Sequence, residues 1–212
     1  MKEVSDHSSL VRIKSFNSWR KNKILILHME SLNLGIEDFC KSDNIPFLSL
    51  SYEEPIIEEI LPFYLNDSIG VIITGSVKRG GRYPEIPEVI MESPLPKLGI
   101  CYGAEYIGHY LGANIIQCNN ESGESGVVLA EFKKSPIFEN IDITQDVPVV
   151  MAHHLMLDSV PRGCRQIAST DLTEIAGYEN ENKKIFGLQF HPEKNWLGDI
   201  IFRNFYNICK IV

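Results

Sequence analysis

The chain has 212 residues, of which 44% are hydrophobic, so it is long enough to bury the core of one globular domain. Its formal net charge of -8 opposes a general role in nucleic-acid binding, because phosphate contacts require clustered Lys and Arg side chains. No apolar run approaches the ~20 residues of a membrane-spanning helix. We therefore expect one soluble domain, with neither nucleic acid nor membrane as a partner.

Residues 1–22 precede the first predicted strand and are expected to form a flexible or edge-packed extension. They lack the apolar core of a secretory signal, and the acidic Glu3 and Asp6 argue against an organelle transit peptide. The remainder, residues 23–212, is predicted to form the single domain.

Strands and helices alternate from the start of this domain. The segment Lys23–His28 is a near-continuous apolar run, which is typical of a parallel strand covered on both faces. Further strands are predicted at 45–50 and 69–74, and helices at 34–41, 53–65, 102–111 and 200–208. The pattern predicts an α/β fold with a doubly wound, mostly parallel sheet and helices on both faces. The stretch 113–178 is richer in strands and turns.

Cys101 is predicted to lie on a nucleophile elbow. A short apolar strand leads into it, glycines stand on both sides at Gly99 and Gly103, and a helical pattern follows. A cysteine at a helix start is expected to favour the thiolate, because the peptide dipoles place positive charge there. The backbone N–H of Tyr102 would face a developing oxyanion. The alternative interpretation is a buried structural cysteine.

The segment His191-Pro192-Glu193 supplies a base and a carboxylate. In extended backbone these two side chains point the same way, and Pro192 restricts His191 to that region. His191 would then accept the thiol proton while Glu193 orients its ring. The alternative is a surface His-Pro turn, but its joint occurrence with the Cys101 segment favours catalysis.

Two other segments have compositions that can indicate ligand sites. The glycines at Gly80-Gly81 lack the spacing of a phosphate-binding loop, so they are interpreted as an oxyanion or lid loop. The paired His153 and His154 have no acidic or cysteine residue at a spacing typical of metal ligands, so no metal is expected. The cysteines are odd in number and without CxxC spacing, which predicts a reducing, cytoplasmic setting. They are Cys40, Cys101, Cys118, Cys164 and Cys209.

The Cys101 and His191 segments, in this order, resemble the class I (triad) glutamine amidotransferases, with the glutaminase part of GMP synthetase as the nearest relative. The resemblance runs from about residue 23 to residue 209. It also includes matched blocks at 71–76, 150–153, 160–163, 168–170 and 204–205. Several matched blocks in the same order are more specific than one motif.

This resemblance implies a role for each matched residue and requires no cofactor. The implied catalytic triad is Cys101, His191 and Glu193. The implied oxyanion-hole residues are Ser76 and Tyr102, and the implied substrate-binding residues are Gly75, Glu105, Gly126 and His153.

The chain departs from the family pattern at several positions. Glu105 stands where the family has glutamine, near the glutamyl end of the substrate, so an altered substrate preference is expected. The segments 124–126, 152–155 and 194–196 also differ, and the last two lie towards the partner in relatives. Trp196 is interpreted either as a core residue or as a wall for substrate or partner.

The predicted reaction is hydrolysis of a γ-glutamyl amide through a thioester on Cys101. In one version glutamine is the substrate, and ammonia passes to a separate ATP-dependent synthetase. In the alternative, a stand-alone hydrolase releases glutamate from a γ-glutamyl amine, peptide or amidated nucleotide. A third hypothesis, an inactive binding or regulatory module, requires loss of a triad residue, and all three are present.

Overall fold

The structure, a computed structural model, describes residues 14–16, 22–29, 34–52, 57–76, 85–118 and 122–211. Its strands are β1 (Lys14–Phe16), β2 (Lys23–His28), β3 (Phe47–Ser51), β4 (Ser68–Ile73), β5 (Lys97–Ile100), β6 (Ile115–Gln117), β7 (Glu124–Phe132), β8 (Val147–His153), β9 (Leu155–Leu157), β10 (Arg165–Ser169), β11 (Gly177–Asn180) and β12 (Ile185–Leu188). Its helices are α1 (Leu34–Ser42), α2 (Ile57–Asn66), α3 (Glu88–Glu92), α4 (Tyr102–Tyr110) and α5 (Leu197–Lys210), with 3-10 turns at Pro136–Phe138 and Pro192–Lys194.

The main sheet has a parallel half and an antiparallel half. Among the described residues it is 10-stranded, in the order β1-β3-β2-β4-β5-β12-β11-β10-β7-β8. Strands β3, β2, β4, β5 and β12 are joined by parallel pairings. The other half is antiparallel and comes mostly from the stretch predicted to be rich in strands and turns.

Helices cover both faces of the parallel half. Along β2, Ile24 and Ile26 join one buried cluster, together with residues of α1 and α5. Leu25 and Leu27 point the other way and join a second cluster, with residues of α2, α3 and α4. The apolar run of β2 is therefore buried on both sides, as its sequence predicts. The predicted doubly wound α/β fold is confirmed.

The predicted elements agree with this structure except near their ends. Helix α5 begins at Leu197, three residues before the predicted start, and α2 is described from Ile57 although its predicted start lies outside the described residues. In the predicted extension, residues 14–16 form β1 and pair antiparallel with β3 at the sheet edge. Residues 1–13 and 17–21 lie outside the described residues.

The order of the strands determines where chemistry can occur. Strands β4, β5 and β12 are parallel neighbours, so the segments that follow them leave the same edge of the sheet. Those segments contain Gly75, Cys101 and His191. Ligands of open α/β sheets bind at this carboxyl edge, so a functional site is expected there.

Candidate active site

Cys101 lies on a sharp turn between β5 and α4. Its backbone has φ 50° and ψ -111°, a conformation that residues with a side chain rarely adopt. A Cβ atom added to Gly99 would lie 2.6 Å from the backbone of Gly103, and one added to Gly103 would lie 2.4 Å from the carbonyl oxygen of Ile73. Glycine is thus required on both sides because backbones approach closely. The predicted nucleophile elbow is confirmed.

His191 and Glu193 meet this elbow from the neighbouring strand. His191 Nδ1 donates a hydrogen bond of 2.6 Å to Glu193 Oε1. A Cβ atom added to Gly75 would lie 3.1 Å from His191 Cε1 and 3.4 Å from Cys101 Cβ, so Gly75 separates the imidazole from the cysteine by little more than its own backbone. The buried Nε2 of His191 has no hydrogen-bond partner in the described part of the chain. Since the proton is on Nδ1, Nε2 is the basic nitrogen.

The route from His191 to Glu193 differs from the sequence expectation. His191 has φ -103° and ψ 87°, outside the helical region, as its proline neighbour requires. Pro192 then opens a 3-10 turn over Pro192–Lys194, so extended backbone through Glu193 is wrong. The turn, rather than a strand, brings the carboxylate back to the imidazole. The backbone N–H of His191 also donates to Val150 O at 2.9 Å, which ties this turn to β8.

The expected thiolate at Cys101 is also wrong. Cys101 is 6% exposed, and this burial, followed by the negative charge of Glu105, raises the pKa of its thiol. A hydrogen bond from the backbone N–H of Tyr102 acts in the opposite direction and is outweighed. Cys101 therefore rests as a thiol. Its proton must leave when the sulfur attacks, and His191 Nε2 is the base placed to take it.

The oxyanion residues lie on two different elements. Tyr102 is the first residue of α4, with its N–H at the positive end of that helix. Ser76 is half-buried and follows Gly75 after β4. Sequence reasoning missed Thr74, whose Oγ1 accepts from Met29 N at 3.0 Å and donates to Gly75 O at 3.1 Å. Thr74 thereby fixes the loop that carries Gly75 and Ser76, while the Gly80-Gly81 loop lies outside the described residues.

Glu105 lies one helical turn after the nucleophile and is 3% exposed. Gln189 Nε2 donates to Glu105 Oε1 at 2.8 Å and lies 3.9 Å from Cys101 Sγ. Burial raises the pKa of the Glu105 carboxyl from its ordinary 4.5 to about 7, and the bond from Gln189 acts to lower it. Gln189 is not predicted as a site residue from the sequence, although it precedes His191 by two positions. Only the fold reveals its contact with Glu105.

His153 belongs to a neighbouring buried cluster. Its Nδ1 donates to Leu155 O at 2.8 Å, and its Nε2 lies 3.4 Å from Glu124 Oε2. Cys118 Sγ is 3.5 Å from Nδ1. Burial is the largest influence on His153 and lowers the pKa of its imidazole. These contacts hold β7 and β8 beside the site, while substrate binding by His153 stays a prediction.

The remaining predicted residues have less to do with the elbow. Gly126 lies on β7 with φ +92°, and an added Cβ atom would meet nothing within 4 Å, so its substrate role also stays a prediction. His154 is exposed. Trp196 is 51% exposed, so it is not a core residue. In the described ranges no group of three or more His, Cys, Asp or Glu side chains could hold a metal ion.

The helices of the described residues are also too short or too polar to cross a membrane.

Comparisons with known proteins agree with this geometry. The family model for glutamine amidotransferase class-I matches residues 47–206. GMP synthase [glutamine-hydrolyzing] of Clostridium tetani is 35% identical over 148 residues, which cover 67% of this chain and 28% of that protein. The enzyme of the same name from Streptococcus mutans is 34% identical over 152 residues, with the same coverage. The matched part of the chain thus spans less than a third of these curated relatives.

Solved structures show the same fold. A Thermoplasma acidophilum protein, described as one of the subunits of GMP synthase, superposes with a TM-score of 0.73 at 21% identity, covering 91% of this chain and 96% of that chain. A glutamine amidotransferase from Thermotoga maritima gives a TM-score of 0.64 at 23% identity, covering 82% and 77% of the two chains. With an elbow cysteine, a histidine base and a carboxylate at the carboxyl edge of this sheet, the chain belongs to the class-I glutamine amidotransferase family of enzymes.

Proposed function

We propose that the chain is a glutaminase that hydrolyses the side-chain amide of glutamine through a thioester on Cys101 and supplies the ammonia to a separate ATP-dependent synthetase. The observation that carries this proposal is the elbow itself: Cys101 is held beside a histidine whose ring is oriented by Glu193. All three side chains are buried except for a few per cent of their surface, which suits covalent catalysis shielded from water.

In the first half of the reaction, Cys101 Sγ attacks the amide carbonyl carbon while its proton moves to His191 Nε2. The raised pKa of the thiol favours transfer of the proton during the attack over a preformed thiolate. Backbone N–H groups of Ser76 and Tyr102 receive the negative charge on the carbonyl oxygen. His191 then returns the proton to the leaving nitrogen, and ammonia departs as the tetrahedral intermediate collapses to the thioester.

In the second half, His191 Nε2 takes a proton from water, which attacks the thioester carbon. The second tetrahedral intermediate collapses, the carbon–sulfur bond breaks and glutamate leaves. The proton on His191 returns to Cys101, so that atoms and charges balance over the cycle. Glu193 holds the ring in the same tautomer throughout both halves.

Glutamine and a synthetase partner are supported by the relatives. The curated proteins from C. tetani and S. mutans are named as glutamine-hydrolysing GMP synthases, and both are much longer than the matched segment. The T. acidophilum protein, described as one of several subunits, matches along nearly its whole length. We propose that this chain likewise acts with a partner. A reducing, cytoplasmic setting is supported by its five cysteines, all of which are free thiols.

Glu105 favours a second candidate, a stand-alone hydrolase of larger γ-glutamyl conjugates. A buried carboxylate one turn from the nucleophile changes the charge of the site that a glutamyl group would enter. If it selects another substrate, kcat/KM should be higher for a γ-glutamyl amine, peptide or amidated nucleotide than for glutamine. The inactive-module hypothesis is opposed by the assembled triad.

The test measures glutamate release from glutamine and from such conjugates, with mass spectrometry of the enzyme during turnover. We expect hydrolysis of glutamine and a glutamyl adduct on Cys101. Cys101→Ala should abolish both, because alanine adds no bulk at the elbow and cannot form the thioester. Cys164→Ala, which removes a half-buried cysteine outside the site, is the matched control and should retain activity. Glutamate release surviving in Cys101→Ala would overturn the proposal.

A further inference from the structure

The pair Glu105 and Gln189 forms the closest polar contact behind the nucleophile that the proposed mechanism does not use. Both side chains are almost fully buried, at 3% and 2% exposure. Gln189 Nε2 stands between the Glu105 carboxylate, at 2.8 Å, and Cys101 Sγ, at 3.9 Å. A single amide nitrogen therefore faces an acid and the reacting sulfur.

The ionised carboxylate fixes which end of the amide faces the sulfur. A carboxylate only accepts hydrogen bonds, so Gln189 must turn its NH2 group, and not its oxygen, towards Glu105. The NH2 group has two protons, and the second is directed to the side where Cys101 Sγ lies. With a neutral partner in place of the carboxylate, either amide orientation would satisfy the pair.

The backbone of Gln189 is equally constrained. Its N–H donates to Ala176 O at 2.9 Å, and two residues later the N–H of His191 donates to Val150 O at 2.9 Å. The segment after β12 thus holds both the imidazole and the Gln189 amide on one rigid connection. A reorientation of the amide alone would be felt at the nucleophile without moving the base.

We propose that Gln189 is a positioning residue whose amide N–H, oriented by ionised Glu105, stabilises the negative charge that develops on Cys101 sulfur. The inference rests on Cys101 as the nucleophile of the proposed function. It adds a donor to the sulfur itself, separate from the groups that receive the oxyanion. It also explains how a carboxylate is tolerated so near a reacting thiol: the amide lies between the two charges.

The contribution of Gln189 should depend on pH, because the carboxyl of Glu105 has a pKa of about 7. Once protonated, it can donate to the Gln189 oxygen and release the amide from its fixed orientation. The other charged groups acting on Cys101 are Glu193 and Lys194, with His191 beside the thiol. The charge of Glu105 also acts on Cys118 and Tyr178. A substitution at Gln189 leaves all of these groups in place.

The experiment measures thiol reactivity without any substrate. Full-length protein is treated with iodoacetamide from pH 6 to pH 9, and the alkylation rate of each cysteine is read by peptide mass spectrometry. Four proteins are compared: wild type, Gln189→Met, Glu105→Gln and the double variant. Methionine keeps the length of glutamine without an N–H donor. Cys164, whose thiol is not influenced by Glu105, is the internal reference and reports on folding.

At pH 8, Gln189→Met should slow alkylation of Cys101 about tenfold relative to Cys164, the effect of losing one hydrogen bond to a charged atom. In the Glu105→Gln background the same change should have little effect, since the amide is no longer oriented. In the wild-type background the effect should shrink as the pH falls from 8 to 6.

Equal effects of Gln189→Met in both backgrounds, or no effect in either, would overturn the proposal. Parallel changes at Cys101 and Cys164 would also overturn it, because they indicate general loosening of the fold. The assay contains no glutamine, so its outcome is independent of the substrate. A protein that shows the expected alkylation pattern but does not release glutamate from glutamine would contradict the proposed function alone.

Discussion

At the residue scale, the chemistry of the site depends on where one proton resides. Cys101 holds it at rest, because burial and the carboxylate of Glu105 both disfavour the thiolate. His191 has a basic Nε2 because its Nδ1 donates to Glu193. The triad therefore works by directed proton transfer, and each member should fail in its own way.

His191→Ala removes the base and should lower kcat about 10⁶-fold, whereas Glu193→Gln should lower it about 10⁴-fold, by analogy with triads of serine hydrolases. The amide at position 193 disturbs the tautomer and orientation of the ring but leaves the imidazole in place. Steady-state glutamate release measures both variants. Similar, near-wild-type rates for the two would contradict the assigned roles.

Glu105 should also make folding stability depend on pH. Its pKa is raised from 4.5 to about 7, so between these values the native state binds a proton that the unfolded chain has lost. Stability should therefore fall as the pH rises from 4.5 through 7 and stay at the lower level above. Urea denaturation should show a wild-type loss of the order of 3 kcal/mol that Glu105→Gln lacks.

The exposed Glu59→Gln in α2 is the matched control and should keep the wild-type pH dependence. Identical slopes for wild type and Glu105→Gln would mean that the buried carboxyl is not perturbed.

At the element scale, the elbow depends on close contact between β4, β5 and α4. An alanine at position 103 would place its Cβ atom 2.4 Å from the Ile73 carbonyl oxygen, and a backbone atom in a central strand cannot yield easily. Helix α4 would have to move away from the sheet, carrying Tyr102 and the elbow with it.

Gly103→Ala should consequently destabilise the protein by about 1–3 kcal/mol and lower kcat by more than its effect on folding explains. Tyr110→Ala, on an exposed position of the same helix, is the control and should change kcat little. Denaturation curves and glutamate release at a temperature where both variants are folded would separate the two effects. A fully active, stable Gly103→Ala would show that the contact is not limiting.

At the scale of the whole molecule, the sheet is held between two helical layers, and α5 seals the face that also carries α1. Phe205 is fully buried there, with its ring 6.4 Å from that of Phe186 in an edge-to-face arrangement. Phe205→Ala should cost about 3–5 kcal/mol of unfolding free energy, since it removes a large apolar side chain and leaves a cavity. Asn207→Ala on the exposed side of α5 should cost much less. Chemical denaturation compares them directly, and equal costs for the two would contradict the role of Phe205 in the core.

Much of the site could be predicted because its signals are local. Cys101 stands between glycines at the end of an apolar strand, and His191 and Glu193 lie two residues apart. Such short patterns fix the backbone around the reacting groups, and the elbow is confirmed in detail. The thiolate could not be predicted correctly, because the pKa of Cys101 depends on burial and on Glu105, which act through space.

The sequence by itself determined the alternation of strands and helices, the doubly wound architecture and the segments that carry the nucleophile, base and carboxylate, since hydrophobic periodicity and turn chemistry act over short distances. Only the tertiary structure decided what those segments meet. Gln189 reaches Glu105 and Cys101 because β12 and β5 are neighbours, and Thr74 holds Gly75 because β4 and β2 are neighbours. Contacts between residues distant along the chain arise from strand pairing and burial, and these in turn set the charge and hydrogen bonding of the site.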